Sequence, residues 1–138
     1  MTSQIDIVEQ LAEALDRDDY TAAASTMADR VEYSIGDREL TGPKAVVDSY
    51  RTASGVAHSL FDRVEYGHQV STTDDPNTFR VSYSDTLILS GETLTHMAEQ
   101  HVTVAPGEGV VRIINVDVPG ERDKVDAFLE RHGLSRGQ

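Results

Sequence analysis

The sequence predicts an α+β domain in which helices pack against one curved antiparallel sheet. Two observations lead to this prediction. Apolar residues recur at helical spacing in four segments, and polar and apolar side chains alternate over four longer segments in the second half of the chain. The resulting order is helix, helix, strand, helix, four strands and a last helix. Helices gathered on one side of an antiparallel sheet are typical of α+β domains.

The first half of the chain contains three predicted helices and one strand. Ser3 resembles a helix N-cap, and apolar residues follow it at helical spacing. A second, short helix starts near Asp19, and a short strand covers residues 31–35. The third helix begins at Pro43, because proline is tolerated at the first helical position. We predict that this helix ends near Gly55.

The second half predicts an antiparallel meander followed by a helix. The four strands and the helix cover, in order, about residues 60–70, 78–89, 92–104, 110–118 and 121–132. Gly133 follows the last helix as a C-cap. No repeat or linker interrupts the chain. We therefore predict one domain over residues 1–138, with a core at about 5–118.

A two-residue turn at Ser90-Gly91 is predicted to bring an acid and an imidazole together. Glycine tolerates positive φ, and Ser-Gly between two alternating runs is typical of a β-hairpin. If Leu89 pairs with Glu92, Asp85 lies opposite His96 on a mostly apolar face. In a dry pocket such a pair can act as a general base beside a carbonyl compound. The alternative is a structural ion pair that merely tolerates burial.

The same alternation supplies further candidates for ligand contact. One side of the strand at 60–70 carries a tyrosine and a histidine, and a tyrosine and a glutamine share the inward face of the hairpin with the acid. The histidine could instead be a core imidazole, and the tyrosine and glutamine of the hairpin could form a hydrogen bond with each other. The register of the last strand is left open, so its asparagine and aspartate face either way. These predicted ligand-binding residues are Tyr66, His68, Tyr83, Gln100, Asn115 and Asp117.

Composition excludes several classes of function. The net charge of −12 repels phosphate backbones and anionic lipid, so we predict neither a nucleic-acid nor a membrane partner. The absence of cysteine excludes disulfides and thiolate chemistry. No apolar run approaches the ~20 residues of a membrane span, and no signal-like segment begins the chain, so we predict a cytoplasmic protein. Abundant carboxylates and few lysines raise the hypothesis of a halophilic source.

Sequence signatures of metal and cofactor sites are missing. His-x-His and His-Glu-x-x-His spacings do not occur, and Gly107-Glu-Gly109 is a turn rather than a dinucleotide fingerprint. We therefore predict a protein that uses no metal and no cofactor.

Two segments resemble the nuclear-transport-factor-2-like superfamily. Residues 15–33, with their Asp-Arg-Asp-Asp turn and their Ala-Asp-Arg-Val step, resemble its opening. Residues 40–51, Leu-Thr-Gly-Pro-Lys-Ala-Val-Val-Asp-Ser-Tyr-Arg, resemble its third helix. The resemblance covers about residues 5–118 and is nearest to the SnoaL-like branch, which holds polyketide-cyclase and ketosteroid-isomerase-like proteins. It implies a cystatin-like α+β barrel, a cone-shaped antiparallel sheet wrapped around helices, here with an extra C-terminal helix.

The residues of ketosteroid isomerases do not carry over to this chain. That pattern needs an aspartate where Ser34 and Ile35 stand, a tyrosine where Leu11 stands and a second aspartate where Ala98 stands. The resemblance therefore implies the fold and a cavity, and it does not imply steroid isomerisation.

The residues and the resemblance together predict a small-molecule pocket protein. The first hypothesis is a cofactor-free acid/base enzyme, an isomerase, dehydratase or cyclase, that uses Asp85 and His96 as catalytic residues. Its substrate is a small apolar or carbonyl-containing molecule. The second hypothesis is a non-catalytic ligand-binding or dimerisation module of the same fold. A homodimer is predicted through the outer sheet face, which has few charges and includes Ser82, Ser84, Thr86, Thr95 and Met97.

Overall fold

A computed structural model describes residues 3–134, which form four helices and six strands. The helices are α1 (Gln4–Asp16), α2 (Tyr20–Ser25), α3 (Pro43–Leu60) and α4 (Glu121–Arg131). The strands are β1 (Met27–Ile35), β2 (Arg38–Thr41), β3 (Arg63–Thr72), β4 (Thr78–Leu89), β5 (Glu92–Ala105) and β6 (Gly109–Val116). Among these residues, no helix combines the length and apolarity needed to cross a bilayer.

The six strands form one curved, open sheet in the order β2-β1-β6-β5-β4-β3. The α+β class and the C-terminal helix are confirmed. The sheet is open, and β1 pairs with β6 in parallel while the other neighbours are antiparallel. The sequence did not indicate the parallel pair. Parallel pairing joins segments far apart in the chain, so local alternation carries no record of it.

The hairpin of β4 and β5 has the predicted register. Ser90 and Gly91 have φ values of 50° and 79°, as a type I′ turn requires. Leu89 pairs with Glu92, and the two strands stay paired without interruption to Thr78. The Asp62 carboxylate accepts a hydrogen bond from the Ser90 backbone N–H at 2.8 Å, which ties the turn to the start of β3.

Several boundaries differ from those predicted. Helix α3 runs through Gly55 to Leu60, so the prediction that it ends near Gly55 was wrong. A glycine inside a helix costs only about 1 kcal/mol relative to alanine, and the buried side chains of Val46 and Val47 hold the helix to the rest of the domain. Strand β1 begins earlier than predicted, and β2 was missed because its four residues are mostly exposed.

The inner face of the sheet carries two separate groups of buried side chains. The first lies under α1, α2 and α3, and it includes Phe79 and Val81 of β4. The second joins α4 to the turn end of the hairpin, and it includes Leu87 and Leu89. Along β4, the inward positions between these groups are Tyr83 and Asp85. The polar stretch of the strand therefore lies between two apolar cores.

Two glycines with opposite backbone requirements provide a matched test of the turn. At both positions a Cβ would meet open space, but only Gly91 has a positive φ. We expect Gly91→Ala to lower the free energy of unfolding by about 1–2 kcal/mol because of backbone strain. We expect Gly55→Ala to raise it by about 0.5–1 kcal/mol, because alanine favours a helix interior. Urea unfolding measures both free energies. A loss of stability in both variants would contradict the assignment of Gly55 to a helix interior and of Gly91 to a turn.

Candidate functional site

A cavity of about 260 Å³ lies beside the first apolar core, which supplies several of its lining residues. Every tyrosine of the chain lines it: Tyr20, Tyr33, Tyr50, Tyr66 and Tyr83. Its acidic lining residues are Asp16, Asp18 and Asp85, and within residues 3–134 no lysine or arginine lines it. The remaining wall is mainly aliphatic. The cavity is therefore an aromatic pocket with a negative edge, in which helices supply one wall and the sheet the other.

Gln100 of β5 joins two of the tyrosines. Its amide oxygen accepts a hydrogen bond from the Tyr50 hydroxyl at 2.8 Å, and its amide nitrogen donates to the Tyr33 hydroxyl at 3.1 Å. The rings of Tyr33 and Tyr50 stack with centroids 5.3 Å apart. Gln100 is only 4% exposed, so these bonds satisfy an otherwise costly buried amide. Gln100 lines the cavity as predicted, but its polar atoms already have partners.

Tyr83 is different, because its buried hydroxyl has no hydrogen-bond partner among residues 3–134. Burial raises the pKa of Tyr83 far above its ordinary value, and the nearby charge of Asp16 acts in the same direction. The phenol is therefore neutral and remains a hydrogen-bond donor. An unpaired buried hydroxyl costs about 1–3 kcal/mol, and a ligand atom in the cavity can supply the missing partner.

The acid and imidazole of the hairpin are in contact. His96 Nδ1 lies 3.3 Å from Asp85 Oδ2, and the two side chains are 24% and 27% exposed. Asp85 lines the cavity, whereas His96 lies outside its lining. The geometry lets His96 orient the carboxylate from behind while Asp85 faces the ligand space. The proposed catalytic role of this pair stays a prediction.

Asp18 was missed by the sequence reasoning. It follows α1 with a φ of 54°, a conformation that aspartate tolerates better than most residues. Its carboxylate accepts hydrogen bonds at 2.8 Å from the hydroxyls of Tyr20 and Ser54, and the Ser54 hydroxyl lies 2.8 Å from that of Tyr66. His58 Nε2 lies 3.3 Å from the same carboxylate. The Asp-Arg-Asp-Asp turn was the available signal, but only tertiary packing brings α3 against it.

His68 of β3 lies behind the cavity wall and does not line it. Its Nδ1 lies 2.6 Å from Asp16 Oδ2 and its Nε2 lies 3.0 Å from Glu9 Oε2. Burial by itself lowers the pKa of His68, but the hydrogen bonds with Asp16 and Glu9 outweigh it and raise the pKa above its ordinary value. The predicted ligand contact is therefore replaced by a bridge that holds α1 on the sheet.

The pairing of β6 with β5 decides the orientation of the last strand, which the sequence left open. Asn115 pairs with Gln100 and lines the cavity, as the inward orientation predicts. A register shift between Thr103 and Val104 sets this parity, and the loop sequence does not reveal it. Asp117 was wrongly included among the cavity residues. It follows the end of β6 and is exposed, because no paired strand holds it inward.

Solved structures with the same fold place the chain among known proteins. A "putative polyketide cyclase" from Xanthomonas campestris pv. campestris is 16% identical, with a TM-score of 0.66 over 88% of this chain and 96% of that one. An NTF2-like protein of unknown function from Cytophaga hutchinsonii is 13% identical, with a TM-score of 0.59 over 86% and 93%. TerC, co-crystallised with polyporic acid, is 12% identical, with a TM-score of 0.64 over 95% and 96%.

At these identities the likeness shows the fold alone. The chain has the NTF2-like fold, and the predicted resemblance is confirmed at that level. No protein-family model matches the sequence. No protein of curated function matches it either.

The bridge at His68 makes a pH-dependent prediction. A histidine pKa that is raised by folding stabilises the fold fully below the pKa of the unfolded chain. That stability is lost as the pH rises through the folded value. We expect NMR titration to place the His68 pKa above that of an ordinary histidine, and we expect Asp16→Asn to lower it. Glu9→Gln should act in the same direction. A His68 pKa that does not move in Asp16→Asn would contradict the bridge.

Proposed function

We propose that this chain binds a small molecule in its cavity and performs cofactor-free acid/base chemistry on it. The substrate class is an apolar, carbonyl-containing compound. The observation that carries the proposal is the unpartnered Tyr83 hydroxyl beside Asp85. Tyr83 and Asp85 are successive inward-facing positions of β4, roughly 7 Å apart along the strand. A neutral donor and a carboxylate at this spacing suit proton removal next to a carbonyl group.

In the proposed reaction, Asp85 accepts a proton from the carbon next to the carbonyl group. The electron pair of the broken C–H bond moves toward the carbonyl oxygen, and Tyr83 donates a hydrogen bond to that oxygen. His96 is a positioning residue, because it touches Asp85 and not the cavity. The proton then returns to another carbon in an isomerase or protonates a leaving hydroxyl in a dehydratase. In a cyclase the enolate carbon attacks a second carbonyl group, and the proton on Asp85 passes to the alkoxide oxygen that this attack forms.

The size and lining of the cavity support a small, apolar substrate. A volume of about 260 Å³ lies below the range of roughly 300–1,000 Å³ typical of drug-sized ligands. Leu15, Ile35, Ala53, Ala57 and Ala98 supply its aliphatic wall. Proteins of the same fold include "putative polyketide cyclases", and TerC was co-crystallised with polyporic acid. These neighbours support a small-molecule ligand.

A non-catalytic ligand-binding module is the second candidate. It is favoured by the hydrogen bonds that cavity side chains make with one another, at Gln100 and at Asp18. Groups held in this way shape a pocket without taking part in chemistry.

Pairing of two copies through the outer sheet face also stays a prediction, which light scattering at micromolar concentration tests.

A neutral probe of proton transfer separates the two candidates. The base-promoted ring opening of 5-nitrobenzisoxazole removes a proton from carbon, breaks an N–O bond and releases a coloured phenolate. We expect Asp85→Asn to lower kcat/KM at least about 100-fold, as loss of a general base does. Tyr83→Phe removes one hydrogen-bond donor to the developing oxyanion, and we expect roughly a 100-fold loss of kcat/KM.

Asp74→Asn is the matched control, because it makes the same chemical change on the exposed loop between β3 and β4. It should leave the rate unchanged. If Asp85→Asn behaves like this control, Asp85 is not the base. A wild-type rate no higher than that of acetate at equal concentration would instead favour the binding module. Thermal unfolding of each variant shows whether it is folded.

A further inference from the structure

We propose that the cavity selects compounds that carry a positive charge, such as an amine or quaternary ammonium group attached to an apolar ring. This inference rests on the proposed function only in taking the cavity as the ligand site. It does not depend on the acid/base step. Three features carry it: the sign of the charged groups in the wall, the aromatic faces and the histidines behind the carboxylates.

The charged groups in the cavity wall are all carboxylates. Asp16, Asp18 and Asp85 line it, and within residues 3–134 no basic side chain does. The five tyrosine hydroxyls add no charge. Burial is the largest cause that raises the pKa of each of them, so all five stay protonated and neutral. A cation entering this space is attracted by all three carboxylates. An anion meets repulsion and finds no basic partner in the wall.

The aromatic faces suit the same sign of charge. Tyrosine rings attract cations through the negative potential of their faces. One cavity ring already shows this: the Arg51 guanidinium carbon lies 5.0 Å from the centroid of Tyr20. The buried, unpartnered hydroxyl of Tyr83 adds an oxygen that can accept a hydrogen bond from an ammonium N–H. The unpartnered hydroxyl is an observation independent of the carboxylates.

Each cavity aspartate is paired with a histidine that lies outside the lining. The three pairs join Asp16 to His68 at 2.6 Å, Asp18 to His58 at 3.3 Å and Asp85 to His96 at 3.3 Å. Burial lowers the pKa of His68, but its hydrogen bonds with Asp16 and Glu9 outweigh burial and raise the pKa above the ordinary value. A protonated His68 places positive charge directly behind Asp16. The attraction that the cavity exerts on a cation should therefore weaken as the pH falls through the pKa of His68.

Other titratable groups face these histidines and moderate the effect. Glu9 of α1 contacts His68, and Glu121 of α4 lies near enough to His96 to interact with its charge. Tyr20, Tyr50, Tyr66 and Tyr83 contribute no charge in this pH range, because their pKa values are raised. The hydrogen bond with Lys124 lowers the pKa of Glu121, so the charge of Glu121 stays constant over this range.

Three probes that share one ring and differ in charge test the inference. They are benzyltrimethylammonium, which is permanently cationic, benzyl alcohol and phenylacetate. We expect calorimetry at pH 8.5 and 0.15 M salt to show at least tenfold tighter binding of the cation than of the alcohol. Phenylacetate should bind weakest. Salt at this concentration limits the general attraction of a protein with net charge −12 for cations.

Single charge removals locate the effect in the cavity. Asp18→Asn and Asp85→Asn should each weaken binding of the cation several-fold and leave the alcohol unchanged. Asp74→Asn removes the same charge from an exposed loop and should change neither. Lowering the pH from 8.5 to 6 should weaken cation binding several-fold in the wild type, because His68 behind Asp16 takes up a proton. The probe itself does not titrate, so the change comes from the protein. Two aspartates are tested because Asp18 also holds hydrogen bonds that shape the pocket.

The inference is overturned if the alcohol or phenylacetate binds as tightly as the cation at pH 8.5, or if none of the three probes binds. Its failure is distinct from failure of the proposed function. If the protein turns over neutral 5-nitrobenzisoxazole in an Asp85-dependent way but shows no preference for the cation, the charge selectivity is rejected and the acid/base function is supported. Preference for the cation without such turnover supports the selectivity and removes the enzyme.

Discussion

The register of β4 against β5 is the constraint on which the rest of the structure depends. Side chains on a strand alternate faces, so one turn geometry decides which groups of both strands lie inside. Here the inward row of β4 reads apolar, polar, apolar, and the polar part is Tyr83 and Asp85. A slip of one residue would turn both away from the cavity and expose buried aliphatic groups. The stability of the two cores therefore enforces the position of the site.

Burying so many polar groups between two cores requires that they satisfy one another. Gln100 does this for Tyr33 and Tyr50, and Asp18 does it for Tyr20 and Ser54. These bonds fix the walls, because each lost partner would leave a buried group unpaired. Tyr83 is the exception. Its buried hydroxyl has no hydrogen-bond partner among residues 3–134, and in the proposed function a ligand atom supplies that partner.

The end of α1 and the turn after it supply two of the three carboxylates of the cavity. Asp16 and Asp18 come from the end of α1 and the turn after it, whereas Asp85 comes from the sheet. The histidines behind them come from β3, α3 and β5. No single segment of the chain holds more than part of this arrangement.

The sequence alone determined the helices, the four long strands, the Ser90-Gly91 turn and the contact of Asp85 with His96, because periodicity and turn chemistry act over a few residues. It also indicated the NTF2-like fold. Only the tertiary structure decided the parallel pairing of β1 with β6, the inward position of Asn115, the exposed position of Asp117 and the packing of α3 against Asp18. These depend on bulges and on packing between segments distant in the chain, and the free energy of such contacts leaves no local pattern.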